Sequence, residues 1–265
     1  MSSYESIQLT RDQGVAIIRF NRPDTLNALT FDTYHELVRA TAELAQDDAV
    51  RCVVLTGQGR GFCSGGDVHG IIASLQEMDT QGLLRFTHLT GAATLGLLNL
   101  KKPCIAAVNG IAAGAGAVLA SACDMRLAAR SARFAFLFVR VGLTGADMGA
   151  AYLLSRIVGL GRAAELLYTG DTIGAEEAYR IGLVNRVIDD DKLEEEAMAL
   201  AHKLAQGPAI ANRFTKEALL KQWTMDAETA IEFDAEAQTL CMQTADHREG
   251  YRAFVEKRPP LFTGR

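Results

Sequence analysis

Gly61-Phe62-Cys63-Ser64-Gly65-Gly66-Asp67-Val68 is the stretch that decides the fold. An apolar run, Arg51-Cys52-Val53-Val54-Leu55-Thr56, precedes it and has the composition of a buried strand. Ile71-Ile72-Ala73-Ser74-Leu75 follows as the start of a helix. Between the two, the glycine pair frees the backbone to turn sharply. Amide N–H groups are left pointing into space at the positive end of a helix, with Asp67 placed to cap it. That is an anion site built from backbone. Further along, the design recurs: strand Ile105-Ala106-Ala107-Val108, turn Asn109-Gly110, then Gly114-Ala115-Gly116-Ala117 opening a helix. One such turn is an ordinary strand-to-helix loop. Two of them, after two separate strands, predict that one oxygen is held between their amides, each donor worth about 2.7–4 kcal/mol to a transition state.

The rest of the chain supports a parallel α/β core. Ser6 to Thr10 and Val15 to Phe20 read as a hairpin around Gly14, and Asn21 to Asp24 as a loop. Thr30 caps a helix running from Phe31 to about Gln46, and Gln81 to Leu100 is helical. Asp124 to Ala128 is a further strand. Strand, turn and helix thus repeat through the first half, which favours parallel strands with crossover helices. The second half is helical: Gly149 to Leu154, Ala163 to Tyr168, Ala175 to Arg180, Leu193 to Ala205, Ala209 to Gln222, Ala227 to Met242 and His247 to Glu256, interrupted by one short strand at Val184 to Ile188. A split near Gly207-Pro208 predicts an α/β core over residues 1–205 and a helical region over 206–265. The apolar stripe of that region reads either as an oligomer contact or as packing on its own core.

Composition bounds the partners. With 265 residues, 49% hydrophobic and 22% charged, the chain is an ordinary globular protein. A net charge of −5 argues against a nucleic-acid partner, RNA included. Five cysteines without paired spacing suggest reduced thiols in a cytoplasmic compartment. Met1 to Glu5 has no basic or apolar leader character, and no apolar run reaches membrane-spanning length.

Other chemistries fit poorly. Gly114-Ala115-Gly116 is followed by Leu119 where a dinucleotide fingerprint needs its third glycine, and no acidic residue sits about 20 positions on. No phosphate-binding Gly-Lys-Ser/Thr occurs, and Phe62 breaks a G-x-S-x-G elbow at Ser64. Cys63 has no histidine tied to it and reads as a small buried residue. The five histidines lack metal-ligand spacing. His69, just past the first turn, reads as a surface or helix-end residue before a catalytic one.

The run Phe20-Asn21-Arg22-Pro23-Asp24-Thr25-Leu26-Asn27-Ala28-Leu29 resembles the first signature of the enoyl-CoA hydratase/isomerase (crotonase) superfamily. Gly61 to Val68, Ala106 to Gly110, Cys123-Asp124 and Glu249 to Pro259 resemble it too, in order and across nearly the whole chain. The resemblance implies an α/β, crotonase-like spiral of repeated ββα units with a helical C-terminal trimerisation region, and homotrimers that often pair into hexamers. It implies a CoA thioester as substrate; no tightly bound cofactor is expected, and the histidine spacing, charge and hydropathy above argue against a metal, a nucleic acid and a membrane. The thioester carbonyl falls between the amides of Gly66 and Ala115. Ser64, Gly65, Asp67, Val68 and His69 surround that point. The loop from Arg22 to Ala28 borders the nucleotide end of CoA, and Phe254 and Lys257 lie near CoA, that of a neighbouring subunit included.

The two glutamates of the hydratase pattern fall on Val118 and Phe138, which transfer no proton. Asp147, in the glycine-rich run Val141 to Ala150, stands near a turn where some isomerases of the superfamily carry an aspartate. It is the expected general acid/base; its alternative role is to cap the helix beginning near Gly149. Phe134, Phe136, Leu137 and Phe138 suggest an apolar pocket wall. The expected activity is enoyl-CoA isomerisation or an unconventional hydration. The alternatives are acyl-CoA decarboxylation or hydrolysis, or CoA binding without catalysis.

Overall fold

The computed structural model describes residues 4–265, so the leader reading at Met1-Ser2-Ser3 lies outside the described residues. β1 (Ile7–Asp12) and β2 (Val15–Phe20) pair antiparallel across a turn in which Gly14 has φ 84°. α1 (Phe31–Gln46) follows. Thr30 accepts from the Thr33 amide and the Thr33 hydroxyl accepts from the Thr30 amide, a reciprocal cap. Tyr34, Leu37, Ala40 and Leu44 are its buried stripe, at helical spacing. Beside them the Glu36 carboxylate accepts the amides of Glu5, Ser6 and Ile7, pinning the start of β1.

β3 (Cys52–Gly57) is buried at all six positions, as a parallel strand covered on both faces must be. The glycine turn after it leads into a π-helical turn, Val68–Ile72, and the single turn α2 (Ala73–Leu75), where the sequence suggests a longer helix. α3 (Thr80–Leu98), capped by Asp79, packs along α1. β4 (Cys104–Val108) passes through Asn109-Gly110 into β5 (Ile111–Ala113), and Gly114 opens α4 (Ala115–Ala122). The same order returns with β6 (Met125–Ala129), β7 (Arg133–Ala135), α5 (Ala150–Ile157) and α6 (Leu160–Thr169). β8 (Thr172–Gly174), α7 (Ala175–Arg180), β9 (Arg186–Ile188) and α8 (Leu193–Ala205) follow.

A large sheet, ordered β1-β2-β3-β4-β6-β9, is parallel except at β1. A small sheet, β5-β7-β8, lies beyond its end. A bridge from Cys63 to Ala112 extends this small sheet towards the first glycine turn. Successive turns of the chain therefore place one strand in the large sheet, one strand in the small sheet, and then a helix.

α9 (Ala209–Lys221), α10 (Ala227–Met242) and α11 (Ala245–Glu256) complete the chain. Buried Lys216 anchors α9 through its Nζ, 2.9 Å from the Asp124 carboxylate and donating to the Lys102 carbonyl at 3.1 Å. The Asp246 carboxylate accepts the amides of Thr263 at 2.6 Å and Gly264 at 2.9 Å, folding the tail back on α11.

Candidate active site

The two glycine turns meet. The bridge between Leu29 and Gly66 is parallel: the Leu29 amide donates to the Gly65 carbonyl and the Asp67 amide to the Leu29 carbonyl, both at 2.8 Å. In a parallel bridge of this kind the N–H of the middle residue, Gly66, faces away from its neighbour strand. Ala115 is the first residue of α4, so its N–H belongs to the unpartnered first turn of a helix at the positive end of the helix dipole. Gly65 has φ 99°, and a Cβ there would come within 3.0 Å of the Ala113 carbonyl oxygen and 3.8 Å of the Gly114 Cα. At Gly116 a Cβ would lie 2.2 Å from the Cys63 carbonyl oxygen, so only glycine lets α4 press this close to the first turn. Both donors are thus held by backbone packed against backbone.

The loop before α1 braces this arrangement. Arg22 donates to the Ala28 carbonyl and, at 3.2 Å, to the Asp67 carboxylate. Asp67 also caps the π-turn, accepting from the amides of His69 at 3.1 Å and Gly70 at 2.8 Å. The Gly70 amide and Arg22 hold the Asp67 carboxyl below its ordinary range, so it is a fixed anion and not a proton donor. Ser64 donates from its hydroxyl to the Thr25 carbonyl at 3.2 Å. Asn27, buried with φ 58°, donates to the carbonyls of Gln58 and Gly61 and accepts from the Arg22 amide. Sequence reasoning gave it no role, although an asparagine tolerates this backbone better than most residues. Val68 and His69 are exposed on the π-turn.

Asp147 sits in a tight turn, Asp147–Gly149, packed on α3 and α4. Met148 has φ 55° and Gly149 φ 87°, two consecutive left-handed residues, of which Met148 carries local strain. The Asp147 carboxylate accepts from the Met148 amide at 2.9 Å and gives no side-chain cap to α5, whose N-cap is Gly149. Its helix-capping alternative is therefore not realised. Burial raises its pKa above the ordinary 3.8, and the Met148 bond opposes that only in part. Tyr34 on α1, only 2% exposed, stands close enough to Cys63 and Asp147 that both charges add to the burial that raises its phenol pKa. Its ring meets Phe86 edge-on at 6.1 Å. Nothing in the sequence separates this tyrosine from the other core residues of α1.

A cavity of about 610 Å³ opens between α3 and the segment from Ala146 to Leu153, with Asp147 in its wall. Val118 is wholly buried and Phe138 only 9% exposed; neither side chain is ionisable, and neither lines this cavity. Phe134 and Phe136 are core residues and, with Leu137 and Phe138, stand outside this cavity's lining. Cys63 is buried, and burial pushes its thiol up to about 12, which removes it as a nucleophile at neutral pH. Phe254, 84% exposed on α11, packs against little of its own chain, and Lys257 ends that helix exposed.

Comparison with known proteins decides the family: the one described as enoyl-CoA hydratase/isomerase matches residues 10–265. The chain belongs to the enoyl-CoA hydratase/isomerase family. It is an enzyme of that kind, and its fold is the crotonase-like spiral with a helix-rich C-terminal region. Among family relatives, a 1,2-epoxyphenylacetyl-CoA isomerase of Escherichia coli (strain K12) is 36% identical over 259 residues, spanning 96% of this chain and 97% of that protein. A short-chain-enoyl-CoA hydratase of Clostridium acetobutylicum is 38% identical over 254 residues, spanning 96% and 95%. A crystal structure from Streptomyces coelicolor A3(2), named provisionally as an enoyl-CoA hydratase, is 49% identical with a TM-score of 0.97 and covers 100% of this chain and 96% of that one.

Proposed function

We propose that this enzyme binds an acyl-CoA and stabilises its thioester enolate, with the amides of Gly66 and Ala115 donating to the thioester oxygen and Asp147 moving the proton. The observation that carries the reading is Asp147 itself: a half-buried carboxyl in a strained turn, beside α4, with its pKa raised and no cation paired to it among the described residues. Such a carboxyl is a stronger base than an ordinary aspartate. It would take a proton from the carbon next to the thioester as the C–H electrons move onto the oxygen. Returning that proton two carbons further along shifts a double bond, so one carboxyl suffices for isomerisation. The similarity to an isomerase supports this order of preference, and the similarity to hydratases supports hydration by an unconventional route as the second reading. Two carboxylates are not available, because Val118 and Phe138 occupy the places where the family resemblance puts the hydratase glutamates.

No tightly bound cofactor enters this chemistry. Residues 1–205 form the catalytic unit and residues 206–265 the oligomerising one, in a homotrimer or a hexamer. Exposed Ile231, Leu240 and Met242 on α10, a helix with no buried residue in the single chain, support that assignment. Phe254 and Lys257 then reach the CoA of a neighbouring subunit, while Arg22, Ala28, Ser64, Gly65, Asp67, Val68 and His69 frame the CoA end of the site. The odd, scattered set of five cysteines supports a reducing, cytoplasmic setting.

Deuterium exchange from D₂O into a panel of saturated and unsaturated acyl-CoAs, read by mass spectrometry, tests the reading. Exchange in the wild type that is lost in Asp147→Asn supports it. Exchange that survives in both moves the base elsewhere. Tight acyl-CoA binding without exchange in either points to decarboxylation or to a binding protein.

A further inference from the structure

α3 contains a glycine that packing does not explain. Of its two interior glycines, Gly96 is required by helix contact: a Cβ there would come within 2.4 Å of the Thr41 Oγ1 on α1. Gly91 is not, because a Cβ built on it meets nothing within 4 Å. Glycine in a helix interior is unfavourable compared with alanine, so a free position of this kind invites a side chain. What lies in front of Gly91 is the cavity of about 610 Å³ that Asp147 also lines. Thr87, Gly91, Leu95 and Leu98 line it from α3 at helical spacing, facing Met148, Tyr152 and Leu153. From Thr87 to Leu98 this face runs about 16 Å along the helix. The lining is mostly apolar, and the carboxyl in its wall is the group assigned to proton transfer.

We infer that this groove receives the acyl chain, and that Gly91 sets the chain length and bulk accepted: the missing side chain leaves room for an extended apolar acyl group beside Asp147. The inference rests on the acyl-CoA reading given above. A Cβ at Gly91 would project into the groove without meeting another atom within 4 Å, so even the smallest side chain there narrows the space. Butanoyl-CoA and decanoyl-CoA, a short and a long acyl chain, are the two probes.

The experiment measures both affinities by calorimetry for wild type, Gly91→Ala and Gly91→Leu, with thermal melts and solution masses alongside. The expected result is a fall of at least about tenfold in the preference for decanoyl-CoA over butanoyl-CoA in Gly91→Leu, with a smaller change of the same direction in Gly91→Ala. Gly91→Ala, which a helix favours, carries the test if the leucine variant does not fold. An unchanged preference in folded variants overturns the inference. A lower solution mass with an unchanged preference also overturns it, since the space then accommodates another copy of the chain. Because affinity is read without turnover, failure of the enolate reading is distinguishable: acyl-CoAs would bind and discriminate while wild type shows no α-proton exchange. If neither acyl-CoA binds wild type, both readings fall.

Discussion

A single backbone N–H separates two readings of Ala115, and it can be deleted cleanly. Proline is tolerated at the first position of a helix, where the missing N–H has no helical partner anyway. Ala115→Pro is therefore expected to keep its fold by circular dichroism and to lose about 10²–10³ in kcat, as removal of one oxyanion donor does. Asp147→Asn should lose about 10²–10⁴ in exchange rate, the usual worth of a positioned acid or base. The pH dependence follows from the same burial. As a base, Asp147 must be ionised, so kcat/KM should rise with pH through its elevated pKa and not at the ordinary 3.8. For stability the sign is opposite. Between those two pKa values the folded chain binds more protons than the unfolded one, so this group's contribution falls as pH rises through the window. Asp147→Asn should accordingly melt higher than wild type at neutral pH, and the gain should vanish below the ordinary aspartate range. The glycine turn, its Asp67 cap and the helix start at Ala115 were legible because turn chemistry is local: a glycine pair, a cap and a helix start lie within a few residues of one another. Tyr34 was not, since its only distinction is proximity to Cys63 and Asp147, residues far from it in the chain.

At the scale of elements, contact between α4 and the first turn governs the site. A Cβ at Gly116 would press on the Cys63 carbonyl oxygen at 2.2 Å. Gly116→Ala is expected to destabilise the chain by about 1–3 kcal/mol, measured by denaturant unfolding, because neither backbone has room to yield. Gly91→Ala should act the other way and raise the melting temperature by about 2 °C, since α3 gains helix propensity at no packing cost. These glycines look alike in the sequence; only what faces each one distinguishes them. Long elements were readable: α1 and its Thr30 cap, α4 from Ala115 to Ala122 and α8 from Leu193 to Ala205 fall where periodicity and caps put them. β5, β7 and β8 were not, because three residues carry no period, and their pairing depends on partners distant in sequence. The helix expected from Ile71 shortens to a π-turn and a single α-turn, where Asp67 bonds tie the start of the segment to Arg22.

At the scale of the whole molecule, the C-terminal region leaves several large apolar side chains uncovered. Trp223 is 63% exposed, Ile231 68% and Phe254 84%. If these faces join subunits, Ile231→Asp should lower the solution mass measured by light scattering, and Phe254→Ala should weaken acyl-CoA binding while leaving the monomer fold unchanged. A preserved mass in Ile231→Asp would point to α10 lying outside the subunit contact. The sequence by itself determined the order of the longer strands and helices, the two backbone turns, the absence of acids at Val118 and Phe138, and the family to which the motifs belong. Those features are local or follow chain order, so neighbouring residues carry them. Tertiary structure alone decided that the two turns touch, that Asp147 turns away from capping α5, and that Gly91 opens into the space Asp147 lines. Each of these depends on where segments many residues apart come to rest, and close packing of buried backbone settles that over distances no local pattern encodes.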